Sequence, residues 1–215
     1  MSDHFRLTLA QLNPTVGDLD GNAAKAVAAW EQGRAAGAHM VALPEMFVTG
    51  YQVQDLVMKP AFHLAAAARI EALAETCRDG PMLGIGGPHL EGVQLYNSYA
   101  VLSGGRIVHR QLKRDLPNFN VFDEVRHYAS GPLQGPFDAG PLRLGTPICE
   151  DAWHPEVSEA LAESGAELLF VPNGSPYFRD KMGFRLNEMV ARVVETDLPL
   201  VYLNMVGGQD DQVFD

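Results

Sequence analysis

Short apolar runs alternate with Ala-rich amphipathic segments along most of this chain. The apolar runs have the length of β-strands, and eight strands are predicted at residues 5–12, 37–45, 82–90, 95–102, 106–112, 142–149, 167–172 and 198–206. Segments with a helical period are predicted to form helices at about residues 23–36, 63–77, 155–163 and 183–195. Residues 114–141 show little periodicity and are predicted to form a long loop. This alternation predicts one α/β domain that covers residues 1–215.

Several predicted strands end in a polar or reactive residue. GAHMVALPE ends at Glu45, RIVHRQL is followed by Lys113, and LRLGTPIC ends at Cys149. One pattern occurs twice, in GAHMVALPE and in GAELLFVPN. It consists of Gly-Ala, an apolar strand, a proline and then a polar residue. Ligands of α/β proteins usually bind beyond the carboxyl ends of the strands. The sequence therefore predicts a site at this edge.

Composition excludes several classes of partner. The net charge of −11 over 215 residues argues against nucleic acid and against an anionic membrane surface. No apolar stretch is long enough to span a bilayer, and the N-terminus has no signal-peptide pattern. The two cysteines, Cys77 and Cys149, suit a reducing cytoplasm, and no His or Cys spacing predicts a metal site.

Cys149 stands in an unusual sequence context for a reactive thiol. Glu150 and Asp151 follow it, and adjacent negative charge disfavours the thiolate. Taken alone, Cys149 is more often a small core residue and Lys113 a solvated charge, whereas Glu45 is as often a surface carboxylate as a buried one. The alternative is that Lys113 supplies the missing positive charge from another strand and that Glu45 is a partly buried general base. Composition alone leaves both readings open.

The order Glu45, Lys113 and Cys149, each after a strand, resembles the nitrilase (carbon-nitrogen hydrolase) superfamily. Several further stretches look like the glutaminase domains of glutamine-dependent NAD(+) synthetases. They are AQLNPTVGDLDGN, PEMFVTGYQVQDL, KRDLPNFNVFDE, ICEDAW, NGSP and VGGQDDQVFD. The resemblance covers the whole chain and implies a four-layer α-β-β-α sandwich of the nitrilase type.

The resemblance also implies roles for individual residues. Glu45 matches the general base, Lys113 the catalytic lysine and Cys149 the nucleophile of the family. The residues that match contacts to the substrate glutamine are Phe119, Phe122, Glu150 and Ser175. The substrate carboxylate would bind Lys181 or, as the alternative, Arg185. Glu124 resembles a second active-site carboxylate of the superfamily, and the resemblance places it with the substrate-binding residues.

The resemblance further implies that the domain is C-terminally truncated and part of a longer polypeptide. Relatives carry a synthetase domain that uses ATP and Mg²⁺, whereas the glutaminase domain needs no cofactor of its own. Its partners would be glutamine, that synthetase domain and further copies in a homo-oligomer. A free-standing amidase or nitrilase of the same superfamily is the closest alternative, and an inactive assembly scaffold is the other.

Overall fold

A computed structural model of the protein describes residues 4–215 and contains two stacked β-sheets. The first sheet has the order β1-β2-β3-β4-β5, with β1, β2 and β3 parallel and β3, β4 and β5 antiparallel. Its strands are β1 (Leu7–Leu9), β2 (Met40–Ala42), β3 (Met82–Glu91), β4 (Gln94–Ser103) and β5 (Arg106–Leu112).

The second sheet has the order β6-β7-β8-β9, and its last three strands are parallel. Its strands are β6 (Phe137–Asp138), β7 (Arg143–Gly145), β8 (Leu168–Asn173) and β9 (Leu200–Asn204). A separate antiparallel hairpin follows, formed by β10 (Gly207–Gln209) and β11 (Gln212–Phe214).

Helices cover the outer faces of both sheets. The helices are α1 (Leu19–Ala35), α2 (Pro60–Thr76), α3 (Glu124–His127), α4 (Pro155–Glu163) and α5 (Lys181–Thr196). Apolar residues of α1 and α2 pack on the first sheet, and those of α4 pack on the second. Between the sheets, Met40 and Tyr99 of the first meet Leu144 and Phe170 of the second. The four-layer α-β-β-α sandwich is thus confirmed. Within residues 4–215, no helix has both the length and the apolar character needed to cross a membrane.

Two strand ends differ from the prediction in a way that matters for the site. The predicted strand 37–45 pairs only over β2 and stops three residues before Glu45, at Ala42. The predicted strand 142–149 stops at Gly145, and Cys149 instead opens a 3₁₀ turn, Cys149–Trp153. The residues after both strands are still apolar and buried, although they no longer pair with a neighbouring strand. The hydrophobic pattern alone therefore predicted strands that were too long. The polar residues therefore lie on turns just beyond the sheet edge.

The remaining boundaries differ by a few residues. The first helix starts at Leu19, before the predicted residue 23, because the Asp18 side chain accepts a hydrogen bond from the Gly21 amide and caps it. The region 114–141 is mostly loop, as predicted, but it contains α3 and the short strand β6. Strand β10 and the 3₁₀ turn Gln54–Met58 were not predicted.

Candidate active site

The three residues singled out by strand order come together where the two sheets end. Glu45 follows β2, Lys113 follows β5 and Cys149 follows β7. The side chains of Glu45 and Lys113 have no solvent exposure, and Cys149 is 2% exposed. The two alternatives that treated Glu45 as a surface carboxylate and Lys113 as a solvated charge are therefore wrong.

Both carboxylate oxygens of Glu45 are held by donors. Oε1 accepts hydrogen bonds from Lys113 Nζ at 2.8 Å and from Asn97 Nδ2 at 2.8 Å. Oε2 accepts a hydrogen bond from the Gly174 amide at 2.8 Å. Gly86 of β3 makes room for this arrangement, because a Cβ there would lie 2.1 Å from the Met46 nitrogen. Glu45 is therefore fixed in one orientation by three separate segments of the chain.

Lys113 lies between two carboxylates. Its Nζ is 2.8 Å from Glu45 Oε1 and 2.8 Å from Glu124 Oε2. Burial lowers the pKa of Lys113, but the negative charges of Glu124 and Glu45 outweigh burial and raise that pKa well above its ordinary value. The ammonium group therefore remains charged at every physiological pH.

Glu124 forms a buried ion-pair group with Lys113 and Glu45. Its Oε1 accepts hydrogen bonds from Tyr51 OH at 2.8 Å and from Asn97 Nδ2 at 3.3 Å. Burial raises the pKa of Glu124, and the neighbouring Lys113 opposes that rise. The residue was predicted among the substrate contacts, but its observed partners are Lys113, Tyr51 and Asn97.

Sequence reasoning missed Asn97, Tyr51 and the Gly174 amide. Asn97 is one residue of a ten-residue strand, β4, and no local pattern distinguishes it. Tyr51 follows the Glu45 segment in a loop, where a tyrosine is unremarkable. Gly174 was noted only as part of NGSP, and a backbone donor has no residue-type signature. All three reach Glu45 or Glu124 only because the fold brings distant segments together.

The Cys149 thiol is held protonated. Burial raises the pKa of Cys149 well above its ordinary value, and Glu45 raises it further. Lys113 lowers that pKa, as expected, but Glu150 and Glu124 act in the opposite direction. The effect of Lys113 on the thiol is limited, because two buried carboxylates share its charge. Attack by this sulfur requires a base.

Asp151 is a further buried carboxylate beside Cys149. Its oxygens accept hydrogen bonds from the backbone amides of Arg114, Asp115 and Ile148. Burial raises the pKa of Asp151 to about 7, although the amides of Asp115 and Ile148 act to lower it. From the sequence, Asp151 was expected to be an unfavourable neighbour of the thiol, and these contacts were not predicted.

A cavity of about 540 Å³ opens directly on Cys149. This volume is typical of a small-molecule site. The lining is mostly apolar and rich in aromatic rings, and its charged members are one carboxylate and one ammonium group. Among the lining residues are Phe119, Phe122, Trp153, Phe178, Glu150, Ser175 and Lys181. Six of the predicted site residues, counting Cys149, thus surround one space.

The two candidate cations near Ser175 occupy different places. Lys181 lines the cavity, and its Nζ donates to the Pro176 carbonyl at 2.5 Å. Burial and the nearby Arg185 lower the pKa of Lys181 to about 8. The Arg185 guanidinium instead donates to the Ser175 carbonyl at 2.9 Å and pairs with Asp215 at 2.7 Å. The geometry favours Lys181 over Arg185 as the group that faces a ligand.

The described residues, 4–215, contain no group of three or more His, Cys, Asp or Glu side chains placed to hold a metal ion. The reactive groups observed at this site are the thiol, the carboxylates and the ammonium already described. Together they resemble a nucleophile with an adjacent base and an electrophilic cation.

Comparisons with known proteins identify the family of the chain. The family model for carbon-nitrogen hydrolases matches residues 6–214. The chain is 61% identical to a glutamine-dependent NAD(+) synthetase of Rhodobacter capsulatus, across all of this chain and 39% of the relative. It is 38% identical to the glutamine-dependent NAD(+) synthetase of Xylella fastidiosa, across all of this chain and 40% of the relative. The chain thus spans about 40% of the length of these curated relatives.

Two solved structures have the same fold. A glutamine-dependent NAD+ synthetase from Acinetobacter baumannii, in complex with ADP, superposes with a TM-score of 0.93 at 31% identity, covering 98% of this chain and 40% of that one. An amidase from Nesterenkonia sp. AN1 superposes with a TM-score of 0.86 at 25% identity, covering 99% of this chain and 83% of that one. In that amidase, acrylamide has added to the active-site cysteine.

Proposed function

The chain belongs to the carbon-nitrogen hydrolase family, and we propose that within this family it hydrolyses the side-chain amide of glutamine. The observation that carries the proposal is the cavity on Cys149, which has Glu150 and Lys181 as oppositely charged lining groups and lies next to the buried Glu45–Lys113 pair. An amino acid substrate carries one positive and one negative charge, so a cavity with one group of each sign suits it.

Glu45 acts as the general base in the first step. It removes the proton from the Cys149 thiol while the sulfur attacks the carboxamide carbon of glutamine. The oxyanion that forms is stabilised by Lys113 and by a backbone N–H that follows Cys149. One such donor is typically worth about 3 kcal/mol in the transition state. Because Lys113 is already fixed between Glu45 and Glu124, little reorganisation is needed when the oxyanion develops.

Glu45 then acts as a general acid. It returns its proton to the departing nitrogen, the C–N bond breaks, and ammonia leaves a thioester on Cys149. A water molecule attacks the thioester carbon, again with Glu45 as the base, and glutamate and the free thiol are released. The proton balance closes at Glu45, which is ionised at the start and at the end of the cycle.

Substrate recognition divides among the lining groups. Lys181 binds the α-carboxylate of glutamine, and Glu150 binds its α-ammonium group. Phe119, Phe122 and Ser175 complete the contacts around the aliphatic chain and the polar head. Arg185 supports the site indirectly, because it holds the Ser175 carbonyl.

The pH dependence of substrate capture follows from Lys181. Its pKa is lowered to about 8, so its charge is lost near pH 8 rather than above pH 10. We expect kcat/KM for glutamine to fall as the pH rises through about 8, because a neutral amine no longer attracts the carboxylate. In Lys181→Arg the charge persists, and the decline should move to higher pH. The substrate titrates identically in both proteins, so an unchanged decline in the variant would contradict this role.

We further propose that the ammonia serves a synthetase domain of the same polypeptide, which uses ATP and Mg²⁺ to amidate deamido-NAD in the cytoplasm. The identity of 61% to one glutamine-dependent NAD(+) synthetase supports this assignment. The free thiols of Cys77 and Cys149 suit a reducing compartment. No cofactor is needed at Cys149 for the steps derived above.

A free-standing amidase remains the alternative, because the Nesterenkonia amidase has a TM-score of 0.86 to this chain. The proposal is tested by comparing substrates with the protein expressed from its complete gene. Glutamine, short aliphatic amides and nitriles are supplied in turn, and ammonia release is measured. Glutamine should be preferred by a large factor over amides that lack the α-carboxylate and α-ammonium groups. Equal or faster turnover of simple amides would favour the amidase.

We also propose that a second copy of the chain packs on α5. The helix buries Lys181, Arg185, Met189 and Arg192, whereas most of its other apolar side chains are exposed. Four of these recur every four residues and form a stripe that consists of Met182, Leu186, Val190 and Val194. An apolar stripe of this kind typically marks an interaction surface.

Sedimentation tests the proposed contact through this stripe. We expect the protein to be at least dimeric and Leu186→Glu to shift it towards the monomer. Asn187→Glu is the matched control, because it adds the same charge at an exposed polar position of the same helix. Association through α5 would be contradicted if the unsubstituted protein were monomeric, or if both substitutions changed the sedimentation coefficient equally.

A further inference from the structure

We infer that Asp151 is a positioning residue, which fixes the turn that carries Cys149 to the segment that follows Lys113. The inference rests on the proposed function, in which the thiol and the ammonium group must act on the same carbonyl. Asp151 has no solvent exposure and contacts neither Glu45 nor Lys113 by a hydrogen bond among the described residues. Its role must therefore be exerted through the backbone that it binds.

One oxygen of Asp151 binds the lysine side of the site. Oδ1 accepts a hydrogen bond from the Arg114 amide at 3.0 Å and another from the Asp115 amide at 2.7 Å. These are the first two amides after Lys113. The lysine backbone itself is bound to β4 and to the later loop, through the Asn97 carbonyl and the Gly131 amide. Asp151 thus binds a segment that is already anchored to the first sheet.

The other oxygen binds the cysteine side. Oδ2 accepts a hydrogen bond from the Ile148 amide at 2.9 Å, and the Asp151 amide donates to the Ile148 carbonyl at 3.0 Å. These two bonds enclose Cys149, whose φ of 48° lies in the left-handed region. Non-glycine residues rarely adopt this conformation, and it persists only where the surroundings hold it. The carboxylate therefore supports the backbone conformation that presents the sulfur.

The two halves of the contact join different sheets. The Arg114 and Asp115 segment follows β5 of the first sheet, and the Ile148 segment follows β7 of the second. A second link exists, the ion pair of Arg114 with Glu156 at 2.9 Å, but both side chains are substantially exposed. Exposed ion pairs contribute little, whereas hydrogen bonds from amides to a buried carboxylate are strong. Asp151 is therefore the stronger tie between the thiol and the ammonium.

Asp151→Asn tests the inference with almost no change in size. One acceptor oxygen becomes an NH₂ group, which cannot accept from the amide that faces it. We expect kcat for glutamine to fall by about 100-fold, the scale of a small misplacement of reacting groups, with KM nearly unchanged because the cavity lining is intact. Alkylation of Cys149 by iodoacetamide should slow as well. Glu156→Gln is the control; it removes the exposed link and should change neither rate.

The readouts separate positioning from stability and from the substrate assignment. If Asp151→Asn does not fold, Asp151→Ser is used, whose shorter side chain cannot span both segments. Failure of both variants to fold, an unchanged kcat and alkylation rate, or an equal rise in KM would overturn the inference. If the parent protein hydrolyses no glutamine but Cys149 alkylation still slows in the variant while Cys77 alkylation does not, the positioning role stands and the proposed substrate fails.

Discussion

Replacing Cys149 with alanine should reduce glutamine hydrolysis by about a millionfold, the scale typical for loss of a catalytic nucleophile. The substitution removes only the sulfur, so the buried group of Glu45, Lys113 and Glu124 should remain folded. In the protein as its gene encodes it, NAD formation supported by glutamine should disappear, whereas NAD formation supported by added ammonium should persist. Steady-state assays with each nitrogen source measure both effects.

Cys77→Ala is the control for this substitution. Cys77 is also a buried free thiol, but it packs in the core between α2 and the first sheet. Burial raises its pKa to about 11, and unlike Cys149 it does not line the cavity. We expect Cys77→Ala to retain glutamine turnover. If Cys149→Ala lost glutamine-supported and ammonium-supported NAD formation equally, the proposal that Cys149 serves only glutamine hydrolysis would be contradicted.

Lys113→Met should destabilise the protein as well as inactivate it. The substitution keeps the length of the side chain but leaves Glu45 and Glu124 facing each other without a cation. Removing one partner from a buried ion pair typically costs about 3–5 kcal/mol of folding free energy. Urea denaturation measures this loss, and glutamine assays on the folded fraction measure the loss of oxyanion stabilisation.

Arg78→Met is the matched control for the ion pair. Arg78 pairs with Glu75 at 3.0 Å, but both side chains are more than half exposed. Its removal should therefore cost less than about 1 kcal/mol. Adding Glu124→Gln to Lys113→Met removes one of the opposed carboxylates and should restore part of the stability but none of the activity. Equal stability losses for Lys113→Met and Arg78→Met would contradict the buried ion-pair account.

The reactive residues could be predicted because each stands where a predicted strand ends. Glu45 and Cys149 end runs that are too hydrophobic to lie at the surface, whereas Lys113 follows a more polar strand, RIVHRQL. Parallel strands place their carboxyl ends at one edge. The resemblance then suggested roles for the cavity residues, and Phe119, Phe122, Glu150, Ser175 and Lys181 do line one space with Cys149. The four-layer sandwich was predicted in the same way.

The partners of these residues could not be predicted, because they depend on contacts between distant segments. Asn97 reaches Glu45 across 52 positions of sequence, and the Gly174 amide reaches it across 129. The protonation of Cys149 also depends on how Lys113 divides its charge between Glu45 and Glu124, which strand order does not reveal. Asp151 illustrates the same limit, since its three donors are backbone amides.

Covalent labelling shows whether Cys149 attacks the side-chain carbonyl of glutamine. The protein is treated with an electrophilic analogue of glutamine, with and without excess glutamine, and the peptides are analysed by mass spectrometry. We expect one adduct on the peptide with Cys149, none on the peptide with Cys77, and protection of Cys149 by glutamine. Absence of an adduct on Cys149, or labelling that glutamine does not suppress, would contradict it.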